Sequence, residues 1–282
     1  MTTNSLPVPG ATLHYEVRGS GPLLLLICGG VYDGAGYGPL AAALEDRYTV
    51  VTYDRRGNGR SPLDGPPEAQ RIEVHADDAH RILEAVGPEP AFAFGNSSGA
   101  MIGLELAARH GAQVRMLVCH EPPLFDLLPE RDRFRALTDQ VETAFHEQGV
   151  EAAGETLNAG LQMRGGEPTE DEPGRAPGGG PADAPDPEIM AMMGRMPANM
   201  AFFLGYEVGS FARWAPDFAA LQASGVPIVP AAGVLSEGEP PHRAAYAVGE
   251  RLAIRTVIFP GDHGGFGADV PAFSAKLDEV LA

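Results

Sequence analysis

Cysteine is scarce in this chain of 282 residues: only Cys28 and Cys119 occur. Each lies inside or at the end of an apolar run, so each reads as a small buried hydrophobe rather than half of a disulfide. Ligand clusters for a structural metal are missing as well, and no metal or other cofactor is expected. Basic residues are few, 20 Lys and Arg against 38 Asp and Glu, and the formal net charge of −18 repels phosphate backbones and anionic headgroups alike. Neither nucleic acid nor a membrane surface is an expected partner. No apolar stretch approaches the ~20 residues of a membrane span. The N-terminal MTTNSLPVPGATLHYEVRG has neither the basic nor the apolar region of a signal peptide. The expectation from these absences is a cytoplasmic protein.

What is present is an ordinary globular composition, 44% hydrophobic and 21% charged, in a chain long enough to bury a substantial core. Short, almost wholly apolar runs at 22–28, 49–53, 90–94 and 114–119 have the character of strands buried on both faces. Segments of helical period separate them, near 37–46, 72–86 and 98–110. Two more strands are expected at 226–231 and 255–259, with helices at 241–252 and 270–281. An N-terminal hairpin over about 5–18 turns at Pro9-Gly10. This pattern predicts an α/β protein with roughly eight strands in a mostly parallel sheet covered by helices on both faces.

Residues 124–223 break that rhythm. Two helical stretches, about 130–163 and 188–222, flank residues 165–187, where twelve of 23 residues are Gly or Pro. A segment so poor in apolar surface cannot offset its ordering entropy and is expected to be a mobile loop. The chain therefore divides into a core, 1–123 with 224–282, and an inserted helical cap, 124–223.

The stretch FGNSSGA (94–100) places Ser97 between two glycines where an apolar strand gives way to a helix. A G-x-S-x-G match is a weak signal alone, but strand, turn and helix are the setting in which it exposes a strained serine at a helix N-terminus. There the helix dipole and free N–H groups favour developing negative charge. A serine hydroxyl needs a base. His14, His75, His80, His110, His146 and His242 fall in strands or helices with polar faces, and His120 directly follows a strand. His263, in the glycine-rich GDHGGF after the last strand, is free to present its imidazole at the C-terminal edge of the sheet, where open parallel sheets place their sites. CGGVYDGAGYG after the strand PLLLLIC supplies a loop on that edge for an oxyanion hole, assigned to the N–H groups of Gly30 and Ser98.

The succession CGG (28–30), YDRRGNGRS (53–61), FGNSSGA and GDHGGF resembles the α/β-hydrolases along nearly the whole chain outside the cap. Where that family more often has His-Gly, this sequence has Cys28-Gly29, which leaves the backbone donors unaffected. The resemblance implies an α/β-hydrolase fold with a helical cap and a Ser97-His263 pair completed by an acid. Most members carry that acid after the strand following the cap, but here Gly233-Val234-Leu235-Ser236 offers no carboxylate before Glu237. Others carry it after the preceding strand, where this chain has His120-Glu121-Pro122-Pro123. The proline after Glu121 restricts it to extended backbone and fixes its direction. An SSGA elbow combined with this HEP stretch is similar to the zearalenone-lactone hydrolases, a branch that uses the glutamate. Glu121 is the favoured acid and Glu237 the alternative.

Met and aromatic residues crowd 188–214. Met192, Met193, Met196, Phe202, Phe203, Tyr206 and Trp214, with Val31 and Tyr32 of the first loop, are the expected substrate contacts, because a polarizable, flexible wall suits a bulky apolar ligand. The alternative reading is that these residues simply pack cap on core. The function expected is a serine hydrolase acting on an apolar carboxylic ester or lactone. An acyl-transfer or cyclising enzyme of the same fold and a non-catalytic receptor are the rivals, and a homodimer is the assembly considered. Dehalogenases and epoxide hydrolases of this fold are less similar, since they use an aspartate where Ser97 stands.

Overall fold

The structure is a computed structural model and describes residues 1–163 and 187–282. Its centre is an eight-stranded sheet: β1 (Thr2–Val8), β2 (Ala11–Arg18), β3 (Leu23–Ile27), β4 (Thr49–Tyr53), β5 (Ala91–Asn96), β6 (Val114–His120), β7 (Ile228–Gly233) and β8 (Val257–Phe259). The spatial order is β1-β2-β4-β3-β5-β6-β7-β8. The expected hairpin pairs Val8 with Ala11 in antiparallel register, and β2 runs antiparallel to β4. From β4 through β3 to β8 every pairing is parallel.

Successive side chains of a strand point to opposite faces, and here both faces are covered. Leu23, Leu25 and Ile27 join Val51, Ala91 and Ala93 in one core. Leu24 and Leu26 join Val50, Phe92 and Phe94 in the other. The first is roofed by α2 (Ile72–Val86) and α3 (Ser98–Arg109), the second by α1 (Gly38–Leu44). That is why the parallel strands read as unbroken apolar runs.

After β6 come α4 (Arg131–Gln148), α5 (Val150–Leu161), α6 (Pro187–Phe202), a π-helical turn (Phe203–Glu207), α7 (Val208–Ala212) and α8 (Phe218–Ser224). Phe134, Leu137 and Val141 of α4 pack with Ala153, Leu204 and Val208 in a third core of their own. The segment 124–223 does not behave as one unit, however. Phe211 and Leu221 are buried in the core beneath the sheet, with Trp214 and Phe218 packed against it. The chain thus returns to the sheet layer before residue 224. The expected loop at 165–187 lies outside the described residues apart from Pro187, which opens α6. The chain closes with α9 (Pro240–Leu252), α10 (Gly265–Ala268) and α11 (Val270–Leu281). Among the described residues no helix is long and apolar enough to cross a membrane.

Candidate active site

The strand ladders extend by one rung at the rim of the sheet, and this places the first two residues of the site. Asn96 pairs with His120 across β5 and β6, and the next N–H, that of Ser97, donates to the His120 carbonyl at 3.0 Å. His120 pairs with Ala231 across β6 and β7, and the Glu121 N–H donates to the Ala231 carbonyl at 3.0 Å. Both residues then leave the sheet in the left-handed region, Ser97 at φ 55° and Glu121 at φ 48°. For residues other than glycine such backbone costs of order 1–3 kcal/mol and persists only where the surroundings fix it. The proline after Glu121 therefore does not hold it extended, contrary to the expectation from sequence; the hydrogen bond to Ala231 and the carboxylate contacts set its direction.

Glycines make the turn at Ser97 feasible by close approach. A Cβ on Gly95 would lie 2.4 Å from the Gly99 carbonyl oxygen, and one on Gly99 would lie 2.1 Å from that of Ile27. The elbow consequently packs directly against β3, with Ser97 at the N-cap of α3.

Glu121 is fully buried. Its Oε2 accepts a hydrogen bond from His263 Nδ1 at 2.7 Å. Its Oε1 accepts from the Gly233 N–H at 2.9 Å and from the Ser236 hydroxyl. Burial raises the pKa of such a group, but the His263 hydrogen bond, the two neighbouring histidines and the Ser236 hydrogen bond outweigh it and hold the carboxyl at about 2. A carboxylate at Nδ1 fixes the tautomer that leaves Nε2 able to accept a proton. Glu237, the alternative acid, is exposed. The acid position after β7 is filled by Ser236, whose hydroxyl serves Glu121.

Behind this pair lies His120, fully buried among Phe94, Phe259 and Phe273. Burial pushes its pKa down to about 4, so it is neutral near pH 7. Asn96 Nδ2 donates to His120 Nδ1 and to the His263 carbonyl, both at 3.0 Å. One amide thus ties β5, β6 and the His263 loop together.

Ser97, Ser98 and His263 line one cavity of about 110 Å³. One water needs only ~10–15 Å³ on this kind of measure, so the space fits an organic group. Among the described residues the rest of its wall is apolar except for Thr138: Met101, Pro123, Phe125, Phe134, Leu137, Leu157, Leu161, Met163, Phe203, Val208, Phe211, Ala212 and Pro241. The Thr138 hydroxyl is already spent on the Phe134 carbonyl at 3.0 Å.

Of the expected substrate contacts only Phe203 lines this cavity. Met192 and Phe202 are buried, but against Gly36 and Gly57 of the core loops. Met193 and Tyr32 are exposed, and Met196 is half-buried. Tyr206 packs on Phe202, and Trp214 on the core beneath the sheet. Val31 holds its carbonyl toward Asn199 Nδ2 at 3.0 Å. The reason is helical phase. The buried positions of α6, Met192, Asn199 and Phe202, face the loops after β3 and β4, while Phe203, the next residue along, lines the cavity. Much of the wall comes instead from α4 (Phe134, Leu137 and Thr138, at i, i+3 and i+4), α5 (Leu157 and Leu161) and α7 (Val208, Phe211 and Ala212).

The first loop is held from behind by polar residues to which the sequence reading gave no individual role. Arg55 Nη2 donates to the Gly30 carbonyl at 2.7 Å and Arg55 Nη1 to Glu207 Oε1 at 2.5 Å, both side chains fully buried. Asn58 Nδ2 also donates to Glu207 at 3.1 Å. Asn199 accepts from the Gly59 N–H at 2.8 Å, and Arg195 binds Asp33 at 2.6 and 3.1 Å. A lone Glu207 within the apolar AFFLGYEVGSF was the available signal, because a buried charge requires a partner. Gly30, expected in the oxyanion hole, gives its N–H to Ser98 Oγ at 3.0 Å and is not among the residues that line the cavity.

A family model described as alpha/beta hydrolase fold matches residues 22–152. The uncharacterized hydrolase YraK of Bacillus subtilis (strain 168) is 37% identical over 287 residues, covering 100% of this chain and 97% of that protein. The chain belongs to the α/β-hydrolase fold superfamily. Among solved structures, an esterase from Thermogutta terrifontis is similar with a TM-score of 0.72 at 16% identity, over 100% of this chain and 98% of that one. The enol-lactonase from Burkholderia xenovorans LB400 is similar at a TM-score of 0.69 and 18% identity, over 99% of both chains. At those identities the likeness is one of fold.

Proposed function

We propose that this chain is a serine hydrolase that cleaves an apolar carboxylic ester or lactone through an acyl-enzyme on Ser97. The observation that carries the reading is the 2.7 Å bond from His263 to the buried Glu121, with His263 and Ser97 lining one apolar cavity. His263 Nε2 takes the Ser97 proton as Oγ attacks the substrate carbonyl, and Glu121 stabilises the imidazolium that forms. The Ser98 N–H, at the start of α3, faces the negative charge that develops on the carbonyl oxygen. His263 then protonates the leaving alkoxide. Water, deprotonated by the same histidine, releases the acid and restores Ser97.

The wall defines the substrate. A polar group bound there would lose its hydration without gaining a partner, at about 1–3 kcal/mol each, so the group that enters is hydrocarbon. The esterase and the enol-lactonase that share the fold are in keeping with this reading, and the glutamate after β6 with the paired-serine elbow keeps a lactone within it.

Incubation with medium-chain esters and macrocyclic lactones in heavy-oxygen water tests the reaction class. Hydrolysis through an acyl-enzyme puts one heavy oxygen into the acid product and none into the alcohol. Products that lose water or alcohol instead identify a cyclising or transfer enzyme, and tight binding without turnover identifies a receptor.

A further inference from the structure

The oxyanion of an acyl transfer needs at least two donors aimed at it, and the resting structure leaves one backbone N–H short. Gly30, the loop residue assigned that role, gives its single proton to Ser98 Oγ at 3.0 Å. It cannot turn away cheaply. The Gly29 carbonyl, in the same peptide unit as the Gly30 N–H, accepts from the Tyr32 N–H at 3.4 Å, and the Gly30 carbonyl is gripped by Arg55 at 2.7 Å. Both peptide planes flanking Gly30 are therefore fixed. Val31, the next loop residue, does not line the cavity.

Ser98 does line it, and is itself 3% exposed. A hydroxyl carries one proton beside its acceptor sites. Its oxygen receives the Gly30 N–H, while among the described residues nothing accepts its proton. We infer that the Ser98 hydroxyl is a second oxyanion donor: Gly30 N–H to Ser98 Oγ–H to the carbonyl oxygen, beside the direct bond from the Ser98 N–H. The chain of two hydrogen bonds polarises the hydroxyl as charge builds on the substrate oxygen. The interaction is thus stronger in the transition state than with the neutral carbonyl, which is the condition for raising kcat rather than lowering KM. This assignment rests on the acyl-enzyme proposed for Ser97.

The opposing account makes Ser98 Oγ a spacer between loop and helix. The two accounts predict opposite signs for Ser98→Ala, which keeps the backbone N–H and removes only the hydroxyl. On an ester that the wild type turns over, our inference predicts a kcat lowered about 10²-fold with KM within about threefold. The affinity for a trifluoromethyl ketone, which forms an oxyanion on Ser97, falls by a similar factor, and the pH–rate profile stays in place because His263 and Glu121 are untouched. A kcat and ketone affinity at or above wild type would overturn it, since the freed Gly30 N–H would then be serving directly. Ser98→Cys, near-isosteric with a weak donor, is the second variant should the alanine variant fail to fold; it is expected to lose at least about tenfold in kcat, and a wild-type kcat would overturn the inference. Ser97→Ala separates this from the parent reading: if that variant keeps full turnover, the acyl-enzyme fails, whatever Ser98 does.

Discussion

Ser236 donates its hydroxyl hydrogen bond to Glu121 across the ends of β7 and β6, on the oxygen opposite the one that holds His263. The place after β7 where most α/β-hydrolases carry the acid is occupied by a residue that supports an acid from the neighbouring strand.

Glu121→Gln removes the charge that stabilises the His263 imidazolium and reverses the hydrogen-bond polarity at Nδ1. The expected loss in kcat reaches ~10⁴-fold. Glu237→Gln, at an exposed position, is expected to stay within about twofold of wild type. Steady-state kinetics on one ester ranks the two, and the reverse ranking sinks the Glu121 assignment.

Ser236→Ala leaves Glu121 in place but strips a hydrogen bond from a buried charge, a loss of about 1.5–3 kcal/mol. The expected result is a lower denaturation midpoint together with a smaller fall in kcat than Glu121→Gln gives. Equal falls in kcat would mean that Ser236 is itself the essential partner of His263.

Two depressed pKa values at the site contribute to the pH dependence of stability. His120, held at about 4 by burial, binds its proton more readily unfolded, near 6.5. Glu121, held at about 2, does so near 4.3 when unfolded. In both cases the unfolded chain binds more protons, so stability is fully present at high pH and drains away on acidification. The His120 share is lost between about pH 6.5 and 4, the Glu121 share between about 4.3 and 2, each about 3 kcal/mol. Denaturant melts across this range test it: Glu121→Gln should shrink the lower loss, leaving the share of Glu16, which His14 and Arg60 also hold at about 2, and keep the upper one.

The buried Glu207 grips Arg55, which in turn holds the Gly30 carbonyl. Glu207→Gln leaves an uncompensated guanidinium, at about 3–5 kcal/mol of stability. In the protein that remains folded, kcat is expected to fall more than KM rises, since the loop beside the elbow loses its anchor. A loss confined to stability would show that the loop is held without this pair.

Much of the site was legible in sequence because it depends on strand ends. Apolar runs mark the strands, and the residues just after each parallel strand land on one edge of the sheet, so Ser97, Glu121 and His263 could be placed by their distance from a strand. The cavity wall was not legible in the same way. Met192 and Phe202 have the right chemistry, but they lie on the face of α6 that packs on the loops after β3 and β4, and composition alone does not say which face of a helix meets the cavity. The direction of Glu121 was misread for a related reason. The rule for residues before proline describes local sterics, and a ladder hydrogen bond with three carboxylate partners overrode it.

In the proposed reaction Ser97 is the nucleophile and His263 its base, and every other step depends on that pair. Labelling the folded protein with a fluorophosphonate, with peptide mass mapping of the adduct, tests this most directly. The predicted result is a single adduct on Ser97 that disappears in Ser97→Ala and forms at least about 10²-fold more slowly in His263→Ala. A folded wild-type protein that carries no adduct on Ser97 would contradict the account.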